Sequence, residues 1–263
     1  MKIFLSALEC APREPQSRGG MEIAQLLVQS KTEMLWNLMS YYYVQQNKEG
    51  LAEYIRDNSK LVLIDSGAHS FQFGVKVNWT EYTEKYADFI KRFDRKNVVG
   101  YFEMDIENII GYEKVLELRK ILERVSNKII PVWHPLRGIG EYEKMCQQYA
   151  GRVIAIGGFK GTDIRDDQFL MFLKVAKKYK CRVHCLGMTR TEVLNKVPFD
   201  YTDSSSWSAT ARFGGVGHGQ FKKGKVTKEF SKNHRGEVFV ENYKQGIAMQ
   251  KHYYRLWQKE CKD

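Results

Sequence analysis

The amino-acid sequence predicts an α/β fold, a single (β/α)8 TIM barrel, on three observations. The chain has 263 residues, close to the roughly 250 residues of one such barrel. Eight short apolar runs recur along it, with amphipathic segments between them. No Gly-x-Gly-x-x-Gly follows the first run, which disfavours the alternative, a doubly wound open sheet.

The strands are expected at Lys2–Ala7, Leu35–Tyr41, Lys60–Asp65, Val98–Asp105, Ile129–His134, Arg152–Gly157, Arg182–Gly187 and Phe199–Asp203. Several are almost unbroken apolar runs (LVLID, VVGYFEMD, KIIPVW, RVIAIGG), as parallel strands covered on both faces require. Helical patterns fall between them. Gly19–Gln29 places Ile23, Leu26 and Leu27 on one side, and Glu49–Asp57 is short and amphipathic. Thr80–Arg92 opens on a Thr-x-x-Thr/Glu start and aligns Tyr82, Tyr86, Phe89 and Ile90. Gly111–Val125, Glu141–Ala150, Asp166–Tyr179 and Arg190–Lys196 follow, each between two strands. Tyr41, Tyr42 and Tyr43 read as barrel packing and rim. Past the eighth strand, residues 204–224 are a Ser- then Gly-rich loop, and a last amphipathic helix is expected from about Glu241 to Lys259. One domain, 1–263, is the reading.

Composition supports a large core, with 43% hydrophobic and 13% aromatic residues. The apolar start Met1–Ser6 is too short for a signal peptide, and no stretch approaches the ~20 apolar residues of a membrane span. A soluble protein of the cytoplasm, a host's if the chain is viral, is expected. Five scattered cysteines read as reduced thiols. The formal charge is +11, and residues 212–263 hold twelve Lys and Arg against five Asp and Glu. That excess favours a nucleic-acid partner over a merely solvated basic face.

In a barrel, chemistry is carried at the carboxyl ends of strands. The third strand ends in Asp65-Ser66-Gly67-Ala68-His69-Ser70-Phe71, the fourth in Glu103-Met104-Asp105-Ile106-Glu107, and the fifth in Trp133-His134-Pro135. The sixth ends in Gly157-Gly158-Phe159-Lys160-Gly161, whose glycines admit a planar ligand to the backbone, and the eighth in Asp203-Ser204-Ser205-Ser206-Trp207. Several carboxylates without a Cys/His cluster point to chemistry at an anomeric carbon, or to hydrogen bonding with a base. A cation held by Asp65, Asp105 and Glu107 is the alternative.

These segments resemble the tRNA-guanine transglycosylase superfamily, the queuine- and archaeosine-inserting enzymes. DSGAHSF resembles the family's DSGG(F/Y)Q motif, and VIAIGGFKG its IGG segment. HCLGMTRTEVLNKVPFDYTDSSSW is similar to its strand-eight motif, with two aspartates three residues apart. Ala211-Arg212-Phe213-Gly214 matches an Ala-Arg-x-Gly at the family's offset. The resemblance spans about Asp65 to Gly214. It implies that Asp203 is the nucleophile and Asp65 the acid/base group beside the exchanging base. It implies that Asp105 reads the N–H and amino edge of the base, and that Gly157 and Gly158 donate from the backbone near its carbonyl. His134 stands where the family has a base-contacting glutamine. Ser66 and Phe159 are expected to line the base site, with Ser66 and Ser204 orienting neighbouring carboxylates.

The sequence departs from the family pattern after Asp203. The family's Cys-x-Cys-x-x-Cys zinc module is not found there, Cys261 being the one cysteine in that stretch, with His218, His234 and His252 dispersed. No cofactor or metal is therefore expected. The compact form looks like the branch that inserts 7-deazaguanines into DNA. The expected reaction is exchange of guanine in DNA for a free 7-deazaguanine base through a covalent glycosyl-aspartate. The alternatives are the same exchange on tRNA, or an inactive barrel that only binds nucleic acid. A duplex target has to be flipped out. Trp207, Phe213 and Phe221 are expected as a wedge, and Arg212, Lys222 and Lys223 as phosphate contacts. Lys160 and Arg190 read as surface charges.

Overall fold

The computed structural model describes residues 1–10, 20–46, 50–71, 77–157, 164–208, 215–216, 224–225 and 235–260. Its centre is a ring of parallel strands. These are β1 (Lys2–Ser6), β2 (Met34–Ser40), β3 (Ser59–Asp65), β4 (Val98–Phe102), β5 (Ile129–Ile130), β6 (Val132–Trp133), β7 (Val153–Ile156), β8 (Arg182–Cys185) and β9 (Tyr201–Ser204). They pair in the order β5-β4-β3-β2-β1-β9-β8-β7-β6, so β5 and β6 lie at the two ends of the pairing order. Only Pro131 separates them. They are the halves of the predicted fifth strand, β5 pairing with β4 and β6 with β7, and the ring closes through that proline. The barrel is thus the expected TIM-like one, with one strand broken.

The break has a physical cause. Proline has no N–H to give the ladder, although the Pro131 carbonyl still accepts from Ala155 N–H at 2.9 Å. The next amide, Val132 N–H, donates 2.6 Å to the buried Glu103 carboxylate. Arg119 grips both oxygens of that carboxylate in a bidentate pair, with Nη2 to Oε1 at 3.0 Å and Nε to Oε2. Glu103 is therefore a plug for the ladder, its oxygens taken up by Arg119 and Val132 N–H.

Helices fill the connections: α1 (Gly20–Gln29), α2 (Tyr41–Val44), α3 (Leu51–Asn58), α4 (Trp79–Phe93), α5 (Glu107–Ile110), α6 (Tyr112–Glu123), α7 (Gly138–Gln148), α8 (Gln168–Lys178), α9 (Thr191–Leu194) and α10 (Arg235–Trp257). Helix α4 starts one residue earlier than the Thr-x-x-Thr reading expects. Its N-cap is Asn78, whose side chain accepts from Glu81 N–H at 3.3 Å. The tyrosine stripe of α4 is core as expected: Tyr41 packs on Tyr82, Tyr86 and Phe89.

The last helix begins six residues before its predicted start and completes the barrel's outer layer over β1 and β2. Gly246 lets it approach, since a Cβ there would meet Leu5 at 2.8 Å. Gln250 Nε2 donates to the Ile3 and Trp36 carbonyls at 2.7 and 2.8 Å, and Tyr243 Oη donates to Asn37 at 2.8 Å. No described helix is long and apolar enough to cross a membrane.

Inside the ring, Phe4 of β1, Phe102 of β4 and His184 of β8 meet across the barrel. The Phe102 and His184 rings lie edge-to-face at 5.0 Å, and Phe4 lies 6.3 Å from His184. This packed layer is the floor beneath the carboxyl-end mouth.

Candidate active site

Asp203 sits on β9, one residue from the strand's carboxyl end. Oδ1 accepts Gly187 N–H at 2.8 Å and His184 Nε2 at 3.0 Å. Oδ2 accepts the Ser6 hydroxyl at 3.2 Å. Three strand ends, β1, β8 and β9, therefore fix this carboxylate. Among the described residues its oxygens accept from these three donors and from no amide of the turn at 206–208, against the bland reading of an Asp before serines as a helix cap. His184 is fully buried while the Asp203 side chain keeps 15% of its surface open, so the pair is a buried support and a group that still reaches the mouth. His184 Nδ1 is buried without a partner. A proton there would be an unmet donor among phenyl rings, so the ring donates through Nε2.

Asp65 ends β3. Gly67 N–H donates to its Oδ2 at 2.8 Å, across a turn that only glycine permits: Gly67 has φ +78°, and a Cβ would meet Tyr42 Cβ at 2.3 Å. Burial raises the Asp65 carboxyl to about 7, and the charges of Asp105 and Asp203 push it the same way. The three aspartates expected from the sequence thus converge on one mouth closely enough to act on one another's charge.

A fourth carboxylate joins them. Glu9, just past β1, is buried and accepts Ser40 N–H at 2.8 Å. Burial raises it to about 7, and the Asp65 charge adds to this.

Asp105 lies past the end of β4, which stops at Phe102. Its Oδ1 is 2.5 Å from His134 Nε2. Burial disfavours the charged His134 ring, yet the Asp105 hydrogen bond and charge, with Glu107, outweigh it and raise the pKa. Gly157 makes room for this ring, since a Cβ there would sit 2.8 Å from His134 Cε1 and Val132 Cγ1. Gly157 is not the backbone donor to a ligand that the sequence leads one to expect. Gly157 N–H is already given to the Trp133 carbonyl at 2.8 Å.

Three further expectations change. Ser66 Oγ is buried without a partner, so the Gly67 amide, and not this hydroxyl, orients Asp65. Ser204 Oγ bonds Ser206 Oγ at 2.9 Å in the turn after β9. Trp207 is no wedge: it is fully buried, donates Nε1–H to the Ser6 carbonyl at 2.8 Å, and packs edge-on against Tyr243 and Phe239.

Glu107 pairs with Arg137 at 3.0 Å and Asp105 with His134, so the carboxylates weighed for a cation are directed to separate partners. Among the described residues no three His, Cys, Asp or Glu side chains converge as a metal site. Arg190 pairs with Asp166 at 2.9 Å on the surface. Gly158, Phe159, Lys160, Arg212, Phe213, Phe221, Lys222 and Lys223 lie outside the described residues.

No family model matches the chain, and no curated protein matches it. Among solved structures, the carboxyl transferase domain of Rhizobium etli pyruvate carboxylase with pyruvate is similar in fold. Its TM-score is 0.51 at 8% identity over 97% of this chain. The chain spans about half of that structure, 48%. A probable tagatose 6 phosphate kinase from Sinorhizobium meliloti 1021 aligns over 100% of this chain and 89% of its own, at 9% identity and a TM-score of 0.43. At 8% identity the likeness to the carboxyl transferase domain concerns the fold alone. A barrel with titratable groups gathered at the carboxyl ends of its strands has the layout of an enzyme.

Proposed function

We propose that this protein is a base-exchanging pentosyltransferase of the tRNA-guanine transglycosylase kind, which replaces guanine in DNA by a free 7-deazaguanine. The observation that carries the reading is the convergence of Asp203 and Asp65 at one mouth, the first held by three donors and the second buried with its pKa raised. Asp203 is fixed by three donors and keeps open surface, as a nucleophile requires. Asp65 is held near 7, the range suited to a group that gives a proton and then takes one.

In the first displacement, a carboxylate oxygen of Asp203 bonds to C1′ of the target nucleotide. Oδ2, with its single donor, is the freer oxygen. The C1′–N9 bond breaks, and the departing guanine takes the Asp65 proton with the electron pair of that bond. In the second, Asp65 removes the N9 proton of the incoming deazaguanine, whose nitrogen attacks C1′ while the C1′–Asp203 ester bond breaks. Two inversions give retention. One glycosidic bond replaces another, so no energy source is consumed. Asp105 and His134, joined to each other beside Asp65, present an acceptor and a donor to the edge of a purine. Gly157 keeps the floor beneath His134 open.

The choice of DNA rests on sequence: from Asp203 to Asp263 Cys261 is the one cysteine, so the zinc ligands of the tRNA-acting enzymes are not in this stretch. Incubation with labelled guanine and either DNA or tRNA tests the reading. Label is expected in DNA with wild type and in neither polymer with Asp203→Ala. Label in tRNA alone shifts the substrate, and nucleic-acid binding without exchange of any base leaves the inactive barrel.

A further inference from the structure

A deep cavity lies at the other end of the barrel. It has a volume of about 810 Å3 and is walled by the first residues of β1, β2, β3, β4, β8 and β9 and by the end of α10. That volume is within the roughly 300–1,000 Å3 of small-ligand sites. Lys2 and Ser6 mark opposite ends of β1, about 13 Å apart at ~3.3 Å per residue, so this cavity and the aspartates do not share a mouth.

Its charge is one-sided. Lys2, Lys60, Lys96, Arg182, Lys251 and Arg255 line it. The one carboxylate among the lining residues, Glu33, is shared between Lys60 at 2.5 Å and Lys251 at 3.2 Å. The Lys2 ammonium lies 5.9 and 5.7 Å above the Tyr201 and Tyr254 rings. Arg182 is steadied by an Nη1 bond to Tyr201 Oη at 2.8 Å, with its remaining N–H groups available for a planar oxyanion. Lys96 and Arg255 make no ion pair among the described residues. Cations crowded around one concave wall repel one another and concentrate anions from solution. Glu33 in the wall and Asp200, whose charge reaches Arg182 and Lys2, offset only part of six cations.

The geometry points to a second binding site here, for a run of closely spaced phosphates. Six cations spread over the starts of β1, β3 and β8, the turn before β4 and the end of α10 match several linked phosphates better than one. Such a run comes either as a free oligophosphate, including the tail of a nucleotide, or as a nucleic-acid backbone.

Calorimetric titration with inorganic tripolyphosphate and, separately, with a single-stranded oligodeoxynucleotide tests this. The proteins are wild type, K96E/R255E and Asp203→Ala. Lys96 and Arg255 are both exposed, so the double variant keeps its fold. Tripolyphosphate is expected to bind wild type and Asp203→Ala alike, more weakly as salt is raised, and at least about tenfold more weakly in K96E/R255E. The same loss seen only with the oligonucleotide supports the site and assigns the phosphates to a polymer. Unchanged affinity of the double variant for both probes, or an equal loss in Asp203→Ala, overturns the site. The readout is binding alone, so it stands or fails apart from the base-exchange reading.

Discussion

His184 Nε2 lies 3.0 Å from Asp203 Oδ1, and the histidine comes from beneath, its ring sealed between Phe4 and Phe102. A buried ring that cannot tilt fixes the carboxylate it touches. His184→Phe fills the same space but removes the donor. Exchange is expected to fall on the order of tenfold to a hundredfold, with nucleic-acid affinity nearly unchanged. His184→Gln, which restores an N–H, is expected to recover part of the rate. Equal rates in all three proteins, measured by label incorporation, remove His184 from the account.

Asp65 governs a pH limb. Its carboxyl is raised to about 7, so the acid form needed for guanine departure is lost as the pH rises through that value. Single-turnover base release is expected to fall over that range. The stability sign follows from the same shift. A folded pKa above the unfolded value means the native state binds the proton more tightly, so this group disfavours folding increasingly from about pH 4 to about pH 7. Asp65→Asn, lacking that charge, is expected to gain up to about 2 kcal/mol over wild type between pH 4 and pH 8 while losing exchange. Glu9, raised to about 7 as well, is expected to show the same stability sign in Glu9→Gln. Denaturant melts at the two pH values check both.

Gly157→Ala tests the floor under His134. The added methyl meets the imidazole and Val132 at 2.8 Å, so the ring has to move off Asp105. A stability cost of about 1–3 kcal/mol and a weaker KM for the free base are expected, with less change in turnover. An unaffected KM would separate His134 from base recognition.

Glu103→Ala tests the closure of the ring at Pro131. It strands the buried Arg119 charge and the Val132 N–H together, and a cost of about 3–5 kcal/mol is expected in thermal or denaturant unfolding. Glu103→Gln keeps an acceptor for Val132 and is expected to cost less.

The barrel is legible because its strands are nearly unbroken apolar runs, and Asp65, Asp105 and Asp203 because each stands at or just past a strand end. Ser6 and His184 are harder. Each is a lone polar residue inside an apolar run, KIFLSA and RVHCLG, where it reads as a satisfied core position. The available signal is that each run is interrupted once, within reach of the carboxyl end. Glu9 is obscured by the segment that follows β1, which shows no strand or helix periodicity. Trp207 misleads in the other direction: its serine- and glycine-rich neighbours suggest an exposed loop, but the indole fills the space under α10. The split of β5 from β6 is implied by Pro131, whereas the compensating Glu103–Arg119 pair depends on contacts between separate elements.

A covalent bond between Asp203 and the sugar can be trapped directly. Wild-type protein incubated with guanine-containing DNA and no incoming base, then acid-quenched and digested, is analysed by mass spectrometry. A deoxyribosyl adduct is expected on the peptide that carries Asp203, and none in Asp203→Ala. An adduct on another residue, or exchange by Asp203→Ala at the wild-type rate, would contradict it.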